Sequence, residues 1–427
     1  MSRLILLLLL YTFKVNAQHK YTLDECINYA LTHNADLRNT KLQSKEKELD
    51  LRYQKHKFLP SAQVYINSGL KSGLQSDVLE KSRRHGNYYN EFTLETSIPL
   101  FSSDASFYIV KKYESDVDIA NLSYSYKELE LKLNVLEKYY NVAIAKIRCN
   151  ISQTQVMLQD SICGITKKLF KIGRKAQKDV IDAELNLSQD KYNAHQEKNN
   201  VESSLKKLAN AMSYNDTLDV VVSENNFLLP SLSFDTIANN IVQKHPSVVM
   251  TEKMIESSKR ELKIFVRQHL PSLSLNYEFG TGALWYYDEQ NTNVKKQWDN
   301  NAYHMVALSL RIPILNQLNT RTQIKKSKVL VERNRELLIK TKEDIFDEIE
   351  QIFTDIQHAN TLQEDLNVTV KLADEQYKHA INDYRLGNIA SYELNIYKNR
   401  YLSSILQLAQ IKCELEYKYC ILKYLIE

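Results

Sequence analysis

Glycine and proline are scarce in this 427-residue chain, at 8 and 6 residues. That scarcity excludes a loop-built or collagen-like protein and permits long helices almost everywhere. Long apolar runs are absent too. The greasy run Leu4–Tyr11 falls far short of the ~20 residues a spanning helix needs, and no later segment is long and uncharged. Re-entry into a membrane would therefore have to be made by β-strands. The 5 cysteines form no CxxC pair. Cys413 and Cys420 on one helix would stand roughly 10 Å apart, too far to bridge, so buried free thiols are expected. A net charge of +4 gives no reason to expect nucleic acid as a partner. The 10 histidines are scattered without an HExxH pair, and P-loop, GxSxG and dinucleotide glycine patterns are missing. No catalytic residue, metal site or cofactor is expected.

What is present begins with an export signal. Arg3, the run Leu4–Tyr11 and the small-residue site Val15-Asn16-Ala17 predict a signal peptide over residues 1–17, with Gln18 as the mature start.

The rest reads as one plan written twice, a first repeat over 18–215, a linker over 216–232 and a second repeat over 233–427. Each half opens with a short helix. Thr22-Leu23-Asp24-Glu25 is a capping box, and Ser233 or Asp235 can cap the second. These helices end at His33-Asn34 and His245-Pro246, where capping accounts for the histidines. A charged helix follows and stops at Leu59-Pro60 or Leu270-Pro271. Two alternating segments come next, the second ending at Ile98-Pro99 or Ile312-Pro313. A long helix then runs to Gly173 or Gly387 and turns back into a return helix. All prolines but Pro230, which lies in the linker, mark these boundaries.

The alternating segments predict strands at about 61–70, 90–99, 272–281 and 303–312. Phe92, Leu94, Thr96 and Ile98 oppose Glu91, Thr93, Glu95 and Ser97. Leu273, Leu275, Tyr277 and Phe279 oppose Ser274, Asn276 and Glu278. Val306, Leu308, Leu310 and Ile312 oppose Ala307, Ser309 and Arg311. Ala62, Val64 and Ile66 oppose Gln63, Tyr65 and Asn67 more weakly. About ten residues with one apolar face is the pattern of a tilted transmembrane strand. Aromatic residues Tyr88, Tyr89, Trp285, Tyr286, Tyr287, Trp298 and Tyr303 fall where headgroups would lie, and about 71–88 and 283–301 read as polar outward loops. Alternation by itself also fits two soluble hairpins packed on helices. Four strands leave two open edges, so a barrel would have to be shared between chains. Glu91, Glu95, Glu278 and Arg311 would line its lumen.

The long helices are expected over about 104–171 and 320–386, on the order of 100 Å each. Return helices are expected at about 175–212 and 390–425. Ile345, Ile349, Ile352, Ile356, Ala359, Gln363, Leu366, Val370, Ala373, Tyr377, Ala380 and Tyr384 step by fours and threes, a coiled-coil seam. Ile119, Leu122, Tyr126, Leu129, Leu133, Leu136, Tyr140, Ala143 and Ile147 do the same. Apolar residues off these stripes predict that each helix touches more than one neighbour. A scaffold, adaptor or adhesin of coiled coils without a pore is the competing reading, although it leaves the matched hairpins unexplained.

The doubled helix–strand–strand–helix plan, its Leu-Pro and Ile-Pro boundaries and the tips Phe170-Lys171-Ile172-Gly173 and Tyr384-Arg385-Leu386-Gly387 resemble the TolC family of outer-membrane efflux proteins. The second tip continues Asn388-Ile389-Ala390-Ser391-Tyr392-Glu393-Leu394, similar to the family's aromatic-x-x-Gly-x-x-small-x-x-acidic-Leu pattern; the first is looser, with Gln177. The resemblance implies a mainly α fold with a shared β-barrel, made by a homotrimer whose twelve strands stand in outer-membrane lipid above a periplasmic helical tube. It implies an efflux or type I secretion duct, with a periplasmic adaptor (membrane fusion protein) and an inner-membrane transporter as partners. Gly173, Arg174, Gly387 and Asn388 would be the docking tips. Asp179 and Glu393, with Asp182 one turn on, would form the periplasmic gate. Ile396, the second-half counterpart of Asp182, departs from the acidic type.

Overall fold

The computed structural model describes residues 20–75, 83–102, 105–221, 234–268, 270–286, 293–314 and 318–426. The expected signal peptide, Ser233, Tyr287 and most of the expected linker lie outside them. The chain separates into two compact units. One comprises Met1–Lys41, Leu122–Val249 and Lys340–Glu427; the other comprises Leu42–Asn121 and Met250–Ile339. The helices are α1 (Leu23–His33), α2 (Ala35–His56), α3 (Ala105–Lys171), α4 (Gln177–Met212), α5 (Phe234–Lys244), α6 (Pro246–Arg267), α7 (Val294–Asn300), α8 (Asn319–Leu386) and α9 (Ser391–Ile426). The strands are β1 (Lys20–Tyr21), β2 (Ser61–Gln75), β3 (Arg83–Ser102), β4 (Asp219–Val220), β5 (Ser272–Tyr286) and β6 (Tyr303–Arg311). The chain is thus mainly helical with antiparallel strands, as expected.

The first unit is a helical bundle. Its α1 starts at the expected capping box: Thr22 Oγ1 accepts from Glu25 N, and Glu25 Oε2 accepts from Thr22 N at 2.8 Å. Its core gathers Ile27 and Leu37 with Val135, Leu136, Tyr139 and Val142 of α3, Leu208 and Met212 of α4, Ile352 and Ile356 of α8, and Ile421 and Leu422 of α9. In α3 the buried residues fall on adjacent positions (135 and 136, 139 and 140, 142 and 143), so two faces of the helix are covered at once. The α8 seam is buried or half-buried at every position from Ile345 to Tyr384, Gln363 included. On α3 the seam breaks at Tyr126, which is exposed. All five cysteines are buried and unpaired by disulfides. A short parallel pair, β1 with β4, is tied to α3 through Lys146, whose Nζ donates to Asp219 Oδ1 and to the Val220 carbonyl, each at 2.6 Å.

The second unit holds a four-stranded antiparallel sheet in the order β2-β3-β5-β6. Three of its strands are longer than the alternation predicted, and β6 ends one residue short of the expected 303–312. The β2–β3 ladder runs unbroken from Ser61↔Ser97 to Gln75↔Arg83, into a stretch assigned above to loop. Lys71, Ser72 and Asn87 carry no alternation there, but the backbone pairs without help from apolar side chains. Part of the second expected loop forms α7, which serves the edge of β5 where β6 has ended. Gln297 Oε1 accepts from Leu284 N at 2.8 Å, and Asn301 Nδ2 donates to the Gly282 carbonyl at 2.7 Å.

Pro99 lies inside β3, past Ser97 where pairing with β2 ends, so its missing N–H costs that ladder nothing. A register shift at Leu100 follows it. In the same unit, α3 and α6 meet through polar side chains. Buried Ser257 donates to Asp116 at 2.8 Å and buried Ser115 contacts Arg260 Nη1 at 2.6 Å.

The two helix-end histidines have different roles. His33 is exposed and stacks on Tyr29 with ring centroids 4.0 Å apart. His245 is buried at the start of α6, where its Nδ1 accepts from Ser247 N at 3.3 Å. Burial lowers its pKa from 6.5. As pH falls below 6.5 the unfolded chain binds a proton here that the folded chain refuses, so this stability is complete above 6.5 and is lost on acidification. Purified protein should melt lower on passing below that pH, and His245→Gln should flatten the decline; a variant with the same slope as the parent excludes His245 as its source.

Candidate functional site

The sheet sorts its residues into two faces by register alone, since directly paired residues share a face. One face carries Val64↔Leu94, Leu94↔Phe279, Ile66↔Phe92, Tyr277↔Val306 and Leu275↔Leu308. The other carries Gln63↔Glu95, Glu95↔Glu278, Asn67↔Glu91 and Ser272↔Arg311. All four expected lumen residues, Glu91, Glu95, Glu278 and Arg311, therefore lie on one polar face, and Glu95 stands directly opposite Glu278.

Tyr303 and Tyr89, expected at headgroup level, face the polar side instead. Tyr303 is paired with Gly280, and its ring occupies the space where a Cβ there would stand; its hydroxyl donates to Glu278 Oε1 at 2.5 Å. Tyr89 covers Gly69 in the same way. A ring laid over a cross-strand glycine shields backbone that has no side chain of its own. Tyr88 and Trp285, paired with each other, remain on the apolar face.

At the far end of the long helices the two turns are built alike. Gly173 has φ +74° and Gly387 φ +83°, the left-handed conformation that glycine takes at little cost. Each closes a paired cap. Arg174 N–H donates to the Leu169 carbonyl and Gly173 N–H to that of Phe170, both at 2.9 Å. Asn388 N–H donates to the Asp383 carbonyl at 2.9 Å and Gly387 N–H to that of Tyr384 at 3.0 Å. All four expected docking residues are exposed.

Asp179 and Glu393 occupy the same place on the two return helices, the third helical residue. Each carboxylate accepts from the backbone N–H just before its helix, Asp179 from Ala176 at 2.9 Å and Glu393 from Ala390 at 3.3 Å. This is half of a capping box, since alanine offers no side-chain acceptor. Their spacing from the glycines thus already has a structural reason. Asp182 is exposed one turn along, as is Ile396 on α9.

Contacts missed in the sequence tie the two hairpins together within this unit. Lys175 Nζ donates to the Ile389 carbonyl at 3.0 Å and lies 4.9 Å from the centre of the Tyr384 ring. Tyr384 is fully buried, its hydroxyl 2.6 Å from Thr166 Oγ1 on α3. Further along α9, Lys398 is 2% exposed and Asp190 of α4 is 6% exposed. Lys398 Nζ donates to Asp190 Oδ2 at 3.1 Å and to Gln159 Oε1 at 2.6 Å, while Gln155 Nε2 donates to Asp190 Oδ1 at 2.6 Å. Burial pushes the Lys398 pKa down and Asp190 pulls it back only in part. The signal for Lys398 was available: it stands four residues from both Leu394 and Leu402, inside an apolar stripe.

Two outcomes follow for these helices. Lys398→Met strands a buried carboxylate and should cost about 3–5 kcal/mol, whereas the Lys398→Met/Asp190→Leu double variant should recover most of it; equal melting losses in both would show that the pair is not the cause. Gly387→Ala meets no atom within 4 Å, so only backbone strain counts, about 1–2 kcal/mol. Hydrogen exchange should accelerate at the tip amides and not along the rest of α8.

Residues 26–213, somewhat under half of the chain, match the family model described as outer membrane efflux protein. No curated protein matches the sequence. Among solved structures, the outer-membrane channel OprN superposes with a TM-score of 0.80 at 16% identity, covering 95% of this chain and 89% of that one. The outer membrane protein VceC from Vibrio cholerae gives 0.78 at 14%, covering 95% and 96%. The CmeC outer membrane channel of Campylobacter jejuni gives 0.74 at 15%, covering 95% and 85%. The fold is theirs, and the resemblance read from the prolines and tips is borne out by the family match and by these neighbours.

Proposed function

We propose that this chain, an outer membrane efflux protein by its family match and its fold, works as one of three identical subunits of a duct from periplasm to exterior. Pump-delivered cargo leaves through it passively, without chemistry. The observation that carries the reading is the sheet. Its outer strands, β2 and β6, each have one unpaired edge among the described residues. Its apolar face is bare, with Ile66 69% and Val306 70% exposed. An apolar face of this extent belongs against lipid, and lipid tolerates no open strand edge. Copies of the same sheet, joined β6 to β2, satisfy both demands and enclose the acidic face of Glu91, Glu95 and Glu278.

The helices support the same assembly. Leu42, Leu49 and Tyr53 leave an exposed apolar stripe on α2, and Ile181, Leu185 and Tyr192 leave another on α4. Such stripes at heptad spacing suit packing against a neighbouring copy. We read the chain as two repeats, each supplying a hairpin to the barrel and a helical turn to the periplasmic mouth. There the exposed tips at Gly173, Arg174, Gly387 and Asn388 meet a periplasmic adaptor and, with it, an inner-membrane transporter. Asp179 and Glu393, held in place by the backbone N–H groups they cap, form the charged constriction, with Asp182 behind the first.

Purified protein in a planar bilayer should conduct cations in preference to anions. Asp179→Asn with Glu393→Gln should raise the resting leak or reduce that preference by several-fold while the trimer persists on a sizing column. Conduction unchanged by the double variant would remove the gate assignment. A chain that stays monomeric and leaves bilayers sealed would return the protein to the scaffold reading.

A further inference from the structure

The segment that follows β6 joins a bare apolar strand face to a basic helix face. From Asn300 to Val331 the sequence contains no Asp or Glu, yet it holds Arg311, Arg321, Lys325, Lys326 and Lys328. The apolar face of β6 carries on past the strand: Ile312 is exposed, Ile314 is 93% exposed and Leu318 is exposed. One turn into α8 the character changes. Leu318, Arg321, Lys325 and Lys328 follow one another at spacings of three, four and three, which places them on one face of the helix. All are exposed, and among the described residues none of these cations is paired with a carboxylate. Lys111 and Lys112 on α3, by contrast, hold carboxylates at 2.7 Å.

We infer that Arg321, Lys325 and Lys328, below the apolar residues Ile312, Ile314 and Leu318, form a binding surface for the headgroups of anionic phospholipids. The inference rests on the membrane reading above, in which β6 descends from the exterior loop and α8 leaves the bilayer on the periplasmic side. Apolar residues then end where the acyl chains end. At 1.5 Å per residue the three cations lie within about 14 Å of the helix start. Their long side chains reach back toward the interface, where phosphate diesters lie. A soluble acidic partner would explain the cations but not their continuity with the bare apolar face. A lipid surface explains both. An anionic surface attracts each Lys or Arg near it strongly enough to favour binding about fivefold per cation, a preference that salt screens.

The test uses the full mature chain, purified in detergent and offered an equimolar mixture of phosphatidylglycerol and phosphatidylcholine. Native mass spectrometry counts the lipids retained. Phosphatidylglycerol should be retained over phosphatidylcholine, and the preference should fall by about fivefold for each of Arg321→Gln, Lys325→Gln and Lys328→Gln. The charge-keeping set Arg321→Lys, Lys325→Arg and Lys328→Arg should hold it. Equal retention of the two lipids by the parent protein overturns the inference, as does an undiminished preference in the triple glutamine variant. Loss of the preference on adding inorganic phosphate also overturns it, by marking a site for free anions. Insertion into bilayers of either lipid is scored alongside. Failure to insert at all would count against the duct itself, whereas insertion without lipid preference would count only against this surface.

Discussion

The backbone hydrogen bonds along the edges of one small sheet constrain everything else in this protein. Four strands in the order β2-β3-β5-β6 satisfy one another inside the sheet and leave a row of donors and acceptors on each side. In water such edges are a hazard; in hydrocarbon each unsatisfied group costs several kcal/mol. The chain resolves a smaller version of the problem by itself, bringing Gln297 and Asn301 to the free edge of β5. Among the described residues nothing comparable covers the open edges of β2 and β6. The same segments present bare apolar side chains on one face and carboxylates on the other. A monomer in water leaves both faults open, and a closed ring of copies in lipid removes both together.

Much of this was legible in the sequence because the physical rules involved are local. Proline cannot sit inside a helix, so its positions marked the helices out, although Pro99 lies within β3 and not at its end. Glycine at 173 and 387 was read as a turn, and both residues have positive φ. Alternation of period two assigned strand faces, and the register agrees residue by residue, from Val64↔Leu94 to Leu275↔Leu308. The heptad seam of α8 emerged at every position. Each of these patterns depends on a residue and its near neighbours along the chain.

What stayed hidden depends on partners distant in sequence. The ladder beyond Leu70 is held by backbone pairing that leaves no side-chain signature. Tyr89 and Tyr303 looked like interfacial aromatics, but each lies over a glycine of the adjacent strand, which only the register reveals. His33 and His245 looked equivalent, yet one is exposed and the other buried. Lys398 and Asp190 are 208 residues apart in sequence and meet in the bundle interior. Lys398 interrupts an apolar stripe, the one local hint, and its partner could not have been chosen from among so many carboxylates. Docking and gating residues came from resemblance, and the geometry supplies their position without their role.

The positions of Asp179 and Glu393 carry the remaining argument. A carboxylate that caps its own helix is held by a backbone N–H whose place is fixed by the turn, not by a flexible surface side chain. The helix N-terminus, moreover, is electrostatically suited to an anion. Two unlike turns, one Ala-Gln-Lys-Asp and the other Ala-Ser-Tyr-Glu, arrive at the same arrangement. A structural cap and a pore charge are therefore compatible uses of one residue: capping sets where the charge stands, and symmetry would multiply it. The buried Lys398–Asp190 pair, with Lys175 and Tyr384 nearer the turns, then holds the hairpins that carry those charges. If these charges form the proposed constriction, motion of the hairpins that carry them would change its width, since each carboxylate is tied to the backbone at the start of its own helix.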